Sequence, residues 1–274
     1  MRARPPSRHN LTPLNADSLL GRGNPVQSFL KPLLDVAETS DYLVAGSVGE
    51  FEAGHGVYQI PRFIFMGPSG GGDTIRLGLF ATFYGDQIES AEALIEFAQA
   101  LETKPQMARG YHLYIYPICN PTGFVARSRH NFSGEDLPRH FWHGSSQPEV
   151  YYLEREMGVL RFHGVIQVQT QRDSEDFALN INSSAILART LTKPAIQAAQ
   201  RYLAGGISKS DNPMPDFFPR DFLTAGHELN PTPFELHLGV PGRVPRPSQI
   251  HGTVSALISI LDTYRNLQSI GQNI

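Results

Sequence analysis

The sequence predicts an α/β domain, a mixed and mostly parallel sheet with helices on both faces. Three observations carry this. Short apolar runs alternate along the chain with segments whose apolar residues recur at helical spacing. The run Ile75 to Phe83 (IRLGLFATF) is almost continuously apolar, as a central strand covered on both faces must be. No repeat, low-complexity tract or linker divides the 274 residues. One domain over 27–274 is therefore expected, behind a polar arm over 1–26 that is rich in Pro and Asn.

The elements follow in order. Ser28 to Ala37 places Phe29, Leu33, Leu34 and Ala37 at helical spacing. Tyr42-Leu-Val-Ala-Gly, Gly56-Val-Tyr-Gln-Ile and Arg62-Phe-Ile-Phe-Met read as three short strands. Gly67 to Asp73 is a loop by composition. After the Ile75–Phe83 strand, Ala91, Leu94, Ile95, Ala98 and Leu101 share one face of a helix over 88–101. Tyr111 to Ile118 is a strand that ends in a strong turn signal, Asn120-Pro-Thr-Gly123. Residues 124–148 read as loop, Val150 to Phe162 as helix and Val165 to Thr170 as strand. A helix is expected from Lys193 to Ala204, with Pro194 in its first turn, where a missing N–H is harmless. Thr232 to Leu238 is the last strand. Ser248 to Leu267 is the last helix, with Ser248 as its N-cap.

Composition excludes several classes. Hydrophobic residues are 41% and charged residues 18%, which suits a packed core and not a disordered chain. The formal net charge of −3 supplies no excess of cations for a phosphate backbone, so nucleic acid is not an expected partner. No stretch approaches the ~20 apolar residues of a membrane span. The basic start is not followed by the apolar segment of a secretory signal, so a cytoplasmic location is expected. The single cysteine, Cys119, excludes a disulfide framework and any cysteine-rich zinc cluster.

Two short motifs are weak. Gly70-Gly-Gly-Asp73 lacks the Lys-Ser/Thr of a phosphate loop, and no helix follows it. His140-Phe-Trp-His143 has a spacing that metals use, but no carboxylate third ligand stands beside it. Cys119, at a strand end, reads as a small core residue.

A longer constellation says more. The chain shows Tyr84-Gly-Asp-Gln87 after a strand, Asn120-Pro-Thr-Gly-Phe124 after the next, then Arg129-His-Asn131. Gly134-Glu-Asp-Leu-Pro-Arg-His-Phe141 and Ser146-Gln-Pro-Glu149 follow, and Pro233-Phe-Glu-Leu comes late. This order resembles the zinc carboxypeptidase superfamily, especially its short bacterial members and the succinylglutamate desuccinylase/aspartoacylase branch. The resemblance spans roughly residues 30–265 and implies a carboxypeptidase-like fold. In that family H-G-x-E and a later histidine hold one zinc ion. The matching positions here are Tyr84, Gln87 and Gln169, so all three ligands are replaced. A phenol and two amides carry no formal negative charge and are poor zinc donors, so no zinc or other cofactor is expected.

The rest of the pattern is partly kept. By resemblance, Glu235 stands where the family has its general base. Arg129 and Arg139 match arginines that bind carboxylate or polarise a carbonyl, and Asn131 accompanies Arg129. Pro138 replaces the asparagine before the second arginine. Glu235 is expected to pair with Arg129 or Arg139, because a buried carboxylate needs either a cation or a proton.

Three functional readings follow. The first is a metal-free, non-hydrolytic protein that binds a carboxylate-bearing or peptide-like ligand in the vestigial cleft. The second is an active metallocarboxypeptidase or amidohydrolase with a non-standard site. The third is a structural or interaction protein whose pocket is filled by side chains such as Tyr84.

Overall fold

A computed structural model describes residues 24–54, 56–203, 222–226, 229–230 and 232–271. Helix α1 (Pro25–Thr39) opens them. Asn24 caps it by accepting the Val26 N–H at 2.9 Å, and Val26, Leu30 and Leu33 form its buried face. Strands β1 (Leu43–Ala53) and β2 (Gly56–Met66) form an antiparallel pair. Then come β3 (Ile75–Ala81), α2 (Ile88–Thr103), β4 (Tyr111–Tyr116), α3 (Pro121–Ala126) and α4 (Pro148–Leu160). Strands β5 (Gly164–Gln171) and β6 (Ala178–Asn182), helix α5 (Ala185–Gln200), strand β7 (Phe234–Pro241) and helix α6 (Arg246–Gly271) complete the order.

All seven strands lie in one sheet, ordered β1-β2-β4-β3-β5-β7-β6. The central four, β4-β3-β5-β7, run parallel, and both flanks are antiparallel. The mixed, centrally parallel sheet is the predicted class. Because side chains alternate across a strand, the sheet divides the core in two. One face packs Leu77, Leu79, Ile166, Val168, Leu236 and Leu238 against α1, α2, α5 and α6. The other face carries Phe80, Tyr116 and Val165 under α4 and the loops around Leu137, Phe141 and Phe222. No helix among the described residues is long and apolar enough to cross a membrane.

On that second face α4 is pinned by a buried ion pair. Arg62 Nη1 of β2 donates to both oxygens of Glu156, at 2.9 and 2.8 Å, and the Tyr116 hydroxyl donates to Glu156 Oε2 at 2.8 Å.

The elements depart from the sequence reading at several points. Two expected strands are one, because β2 runs straight through Pro61. The proline is accommodated at an irregularity in the β1 register between Ser47 and Glu50. The turn at Asn120 is the start of a short helix: Asn120 Oδ1 accepts the Gly123 N–H at 2.8 Å. Helix α5 begins at Ala185, where the Ser184 hydroxyl caps the Leu187 N–H, and Pro194 falls inside the helix. Helix α6 begins at Arg246, so Ser248 is already helical. The edge strand β6 had no sequence expectation. Of the predicted arm, residues 1–23 lie outside the described residues, and Pro25 and Val26 already belong to α1.

Candidate functional site

Loops leaving the carboxyl ends of β3 and β4 form the frame, where ligands gather in open α/β sheets. Past β3, Thr82 is buried with a φ of 55°, a strained conformation for a β-branched residue. Its carbonyl accepts the Asn120 N–H at 3.0 Å, and Asn120 Nδ2 donates to the Phe83 carbonyl at 3.0 Å. Gly85 then passes so close to the other loop that a Cβ there would lie 2.0 Å from the Gly123 carbonyl carbon. The Asn-Pro-Thr-Gly element therefore locks the two loops together through backbone and one amide.

This frame brings Tyr84, Arg129, Arg139 and Asp136 together. Tyr84 is fully buried, and the Arg129 guanidinium carbon sits 3.8 Å from its ring centroid. Burial pushes the Tyr84 hydroxyl above its ordinary range. Asp136, which accepts a hydrogen bond from it, adds to that shift, while Arg129 and Arg139 oppose it. Arg139 Nε is 3.3 Å from Asp136 Oδ2, and its side chain is 64% exposed.

Asn131 is turned into its own loop. It is buried, and its Nδ2 donates to Gln147 Oε1 at 2.7 Å. Its Oδ1 accepts the Ser133 and Glu135 N–H groups at 3.1 and 3.0 Å. Its side chain braces the 131–147 loop from within. Behind it lies Glu149, also buried, which accepts from Thr122 Oγ1 at 2.9 Å; burial raises its pKa.

The residues at the vestigial metal positions do not fit a zinc ion. Tyr84 faces Arg129 with its proton held on by burial. Gln87 is the first residue before α2, with its side chain making no cap bond. Gln169, on β5, has a buried Oε1 with no hydrogen-bond partner. The set offers neutral donors only, and a guanidinium cation already occupies one side of it. Among the described residues no group of three His, Cys, Asp or Glu could hold a metal. His140 instead lies 2.9 Å from Glu135.

Glu235 is not brought to this frame. It is the second residue of β7 and pairs in register with Val165, whereas Gln169 pairs with Gly239. Four residues at ~3.3 Å each put it ~13 Å nearer the amino ends of the strands. It is fully buried. Its oxygens accept the Leu223 N–H at 3.3 Å, the Thr224 N–H at 2.9 Å and the Thr224 hydroxyl at 2.7 Å. The expected ion pair with Arg129 or Arg139 is not formed. Among the described residues the only group at ion-pair distance is His237, whose Nε2 lies 3.0 Å from Glu235 Oε1. That contact is off the ring N–H line and is no hydrogen bond.

Sequence reasoning passed over Gln167, His237, Asp136 and Thr224. Two of these had a signal. Val-Ile-Gln-Val-Gln-Thr and Phe-Glu-Leu-His-Leu both alternate polar and apolar residues in strands otherwise expected to be buried throughout. This sets Gln167 with Gln169, and Glu235 with His237, on one face.

No protein-family model matches the chain, and no curated protein sequence matches it. Solved structures do. A provisionally assigned metallopeptidase from Shewanella amazonensis superposes with a TM-score of 0.65 at 18% identity, covering 87% of this chain and 93% of that one. A metallo-carboxypeptidase from Burkholderia cenocepacia gives 0.64 at 14% identity, over 88% of this chain and 69% of that one. An aspartoacylase family protein from Mesorhizobium loti gives 0.56 at 15% identity, over 81% and 68%. At these identities the likeness is one of architecture: the chain has the carboxypeptidase-like α/β fold that these three structures share.

Proposed function

We propose that this protein is a non-hydrolytic, carboxypeptidase-like binding protein that holds a carboxylate-bearing ligand at Arg129 and Arg139. The observation that carries the reading is the Arg129 guanidinium stacked at 3.8 Å on the buried Tyr84 ring, at a position where the resembled pattern has a zinc ligand. A fixed guanidinium is a planar fork for carboxylate, already desolvated on one face by the ring. Arg139 stands close by with its side chain largely exposed, tied only to Asp136. A Pseudomonas aeruginosa metallo-carboxypeptidase of this fold was solved with (2-guanidinoethylmercapto)succinic acid, which makes succinate a sensible first probe. Two facts weigh against hydrolysis as the activity. The neutral donor set would not lower the pKa of a water, and Glu235 lies far down its strand from that set.

A second reading has its own observation. Tyr84 is fully buried, and Phe83, Phe141 and Phe222 pack edge-to-face with centroids 5.0–5.8 Å apart. A frame filled in this way would serve as a structural or interaction module.

Thermal unfolding with succinate decides between them. A ligand at 100 times its Kd adds about 2.7 kcal/mol. The binding reading expects a saturable rise in Tm that Arg129→Ala and Arg139→Ala abolish, in protein that carries no stoichiometric zinc by elemental analysis. No rise at millimolar succinate favours the filled module. One equivalent of zinc lost on mutating Gln87 or Gln169 overturns both.

A further inference from the structure

The segment that supplies Arg139 to the frame, Gly134-Glu-Asp-Leu-Pro-Arg, supplies a carboxylate as well. Asp136 stands immediately before the short helical turn Leu137–His140, where an aspartate ordinarily caps free N–H groups. Its side chain makes no cap bond. It turns to the frame instead. It accepts the hydrogen bond of the Tyr84 hydroxyl, and its Oδ2 lies 3.3 Å from Arg139 Nε. Its Oδ1 is buried with no hydrogen-bond partner. An aspartate that forgoes its cap and leaves one oxygen unpaired is not placed there for the stability of the turn.

Its effect on the frame is one of charge. Three charged side chains act on the Tyr84 hydroxyl: Asp136, Arg129 and Arg139. Arg129 forms no ion pair among the described residues, and Arg139 forms one, to Asp136. Other charges on these loops are turned to each other. Asp86 lies 2.9 Å from Arg172, and Glu135 lies 2.9 Å from His140. Two guanidinium groups and one carboxylate leave the frame with a single positive charge. One ligand carboxylate neutralises it. A second finds no cation left over and faces Asp136, whose two partners meet only one of its oxygens fully. Like charges disfavour each other far more in a partly covered site than in water.

We propose that Asp136 is the specificity-determining residue of this site, admitting a ligand with one carboxylate and disfavouring a second. The assignment rests on the carboxylate reading above and narrows its ligand class to monocarboxylates. Ligand reaches the frame at Arg139, whose side chain is 64% exposed, whereas Asp136 is largely covered and Tyr84 fully so. Asp136 acts through its charge and its hold on Arg139.

Calorimetry on the full chain with succinate and its monomethyl ester tests this. The two acids share a carbon skeleton and differ by one charge at neutral pH. Allowing for the two equivalent ends of succinate, the wild-type protein should bind the monoester at least as tightly. Asp136→Asn removes the charge and keeps an oxygen for the Tyr84 hydroxyl. It should raise the affinity for succinate, relative to the monoester, about tenfold or more. A ratio of two ligands on one protein does not follow a general loss of stability, so a purely structural aspartate would leave it where it was. An unchanged ratio, with both acids bound, overturns the assignment and leaves the carboxylate reading standing. Should the variant fail to fold, the wild-type protein still decides, since succinate bound more tightly than the monoester overturns the assignment. No binding of either acid, to wild-type protein or variant, removes the carboxylate reading and the assignment with it.

Discussion

Glu156, largely covered, and Glu235, fully buried, lie against the same face of the sheet and are answered in different ways. Glu156 meets a full cation, Arg62, and a phenol donor from Tyr116. Glu235 meets two backbone N–H groups and the Thr224 hydroxyl, with a histidine that makes no hydrogen bond to it. The first arrangement is closed: charge, donors and packing are all supplied from within the chain, and it fastens α4 to β2. The second draws its donors from the backbone and hydroxyl of residues 223–224, with His237 the one group at ion-pair distance among the described residues. The ion pair ties a helix to a strand, whereas the carboxylate met by backbone donors ties one loop to β7.

The largest effect should come from breaking the closed pair. Arg62→Met leaves Glu156 buried without its cation, and urea unfolding should show a loss of ~3–5 kcal/mol. The double change Arg62→Met, Glu156→Met should recover most of it. A small loss in the single variant would mean that Glu156 is not the fastening described.

Glu235→Gln should cost much less, about 1 kcal/mol in the same assay. The amide oxygen can still accept from the Thr224 N–H and hydroxyl, and only the longer Leu223 contact is lost. A cost as large as that of Arg62→Met would erase the difference between the two sites.

The smallest effect concerns a third buried carboxylate, Glu149, held by hydroxyl and amide donors without a cation. Burial raises its pKa in the folded state above the ordinary 4.5, so the native protein binds that proton more tightly than the unfolded chain. Its contribution is fully present below pH 4.5 and is lost as pH rises through the folded pKa. Glu149→Gln should remove that slope from a plot of stability against pH above 4.5. A slope unchanged by the substitution would show that Glu149 shares no part in it.

Much of the fold was legible because buried parallel strands write themselves as apolar runs; Ile75–Ala81 and Tyr111–Tyr116 needed no other signal. Strand β6, Ala-Leu-Asn-Ile-Asn, was hidden: it is five residues long, at an edge, and two of those residues are poor strand formers. The start of α5 was displaced because Pro194 looks like a first-turn proline, while the cap at Ser184 lay nine residues upstream of the expected Lys193 start. At the site, motif order located Tyr84, Arg129 and Arg139 in one neighbourhood. It gave no height along a strand. Register alone puts Glu235 level with Val165 and away from the arginines, and register between distant strands is not written in either strand's own sequence.

The contact between Gly85 and Gly123 reaches beyond local geometry. The Gly123 backbone occupies the space a side chain would need on Gly85, where a Cβ would lie 2.0 Å from it; a Cβ on Gly123 would itself lie 2.5 Å from Asn120 Nδ2 and 2.6 Å from the His130 carbonyl. The two loops are therefore fitted together by main chain, with Tyr84 and Gln87 flanking the joint. Chemistry at those two positions is free to be exchanged during descent while the interlock stays. Gly85 and Gly123 would then tolerate no side chain, whatever residues stand at positions 84 and 87.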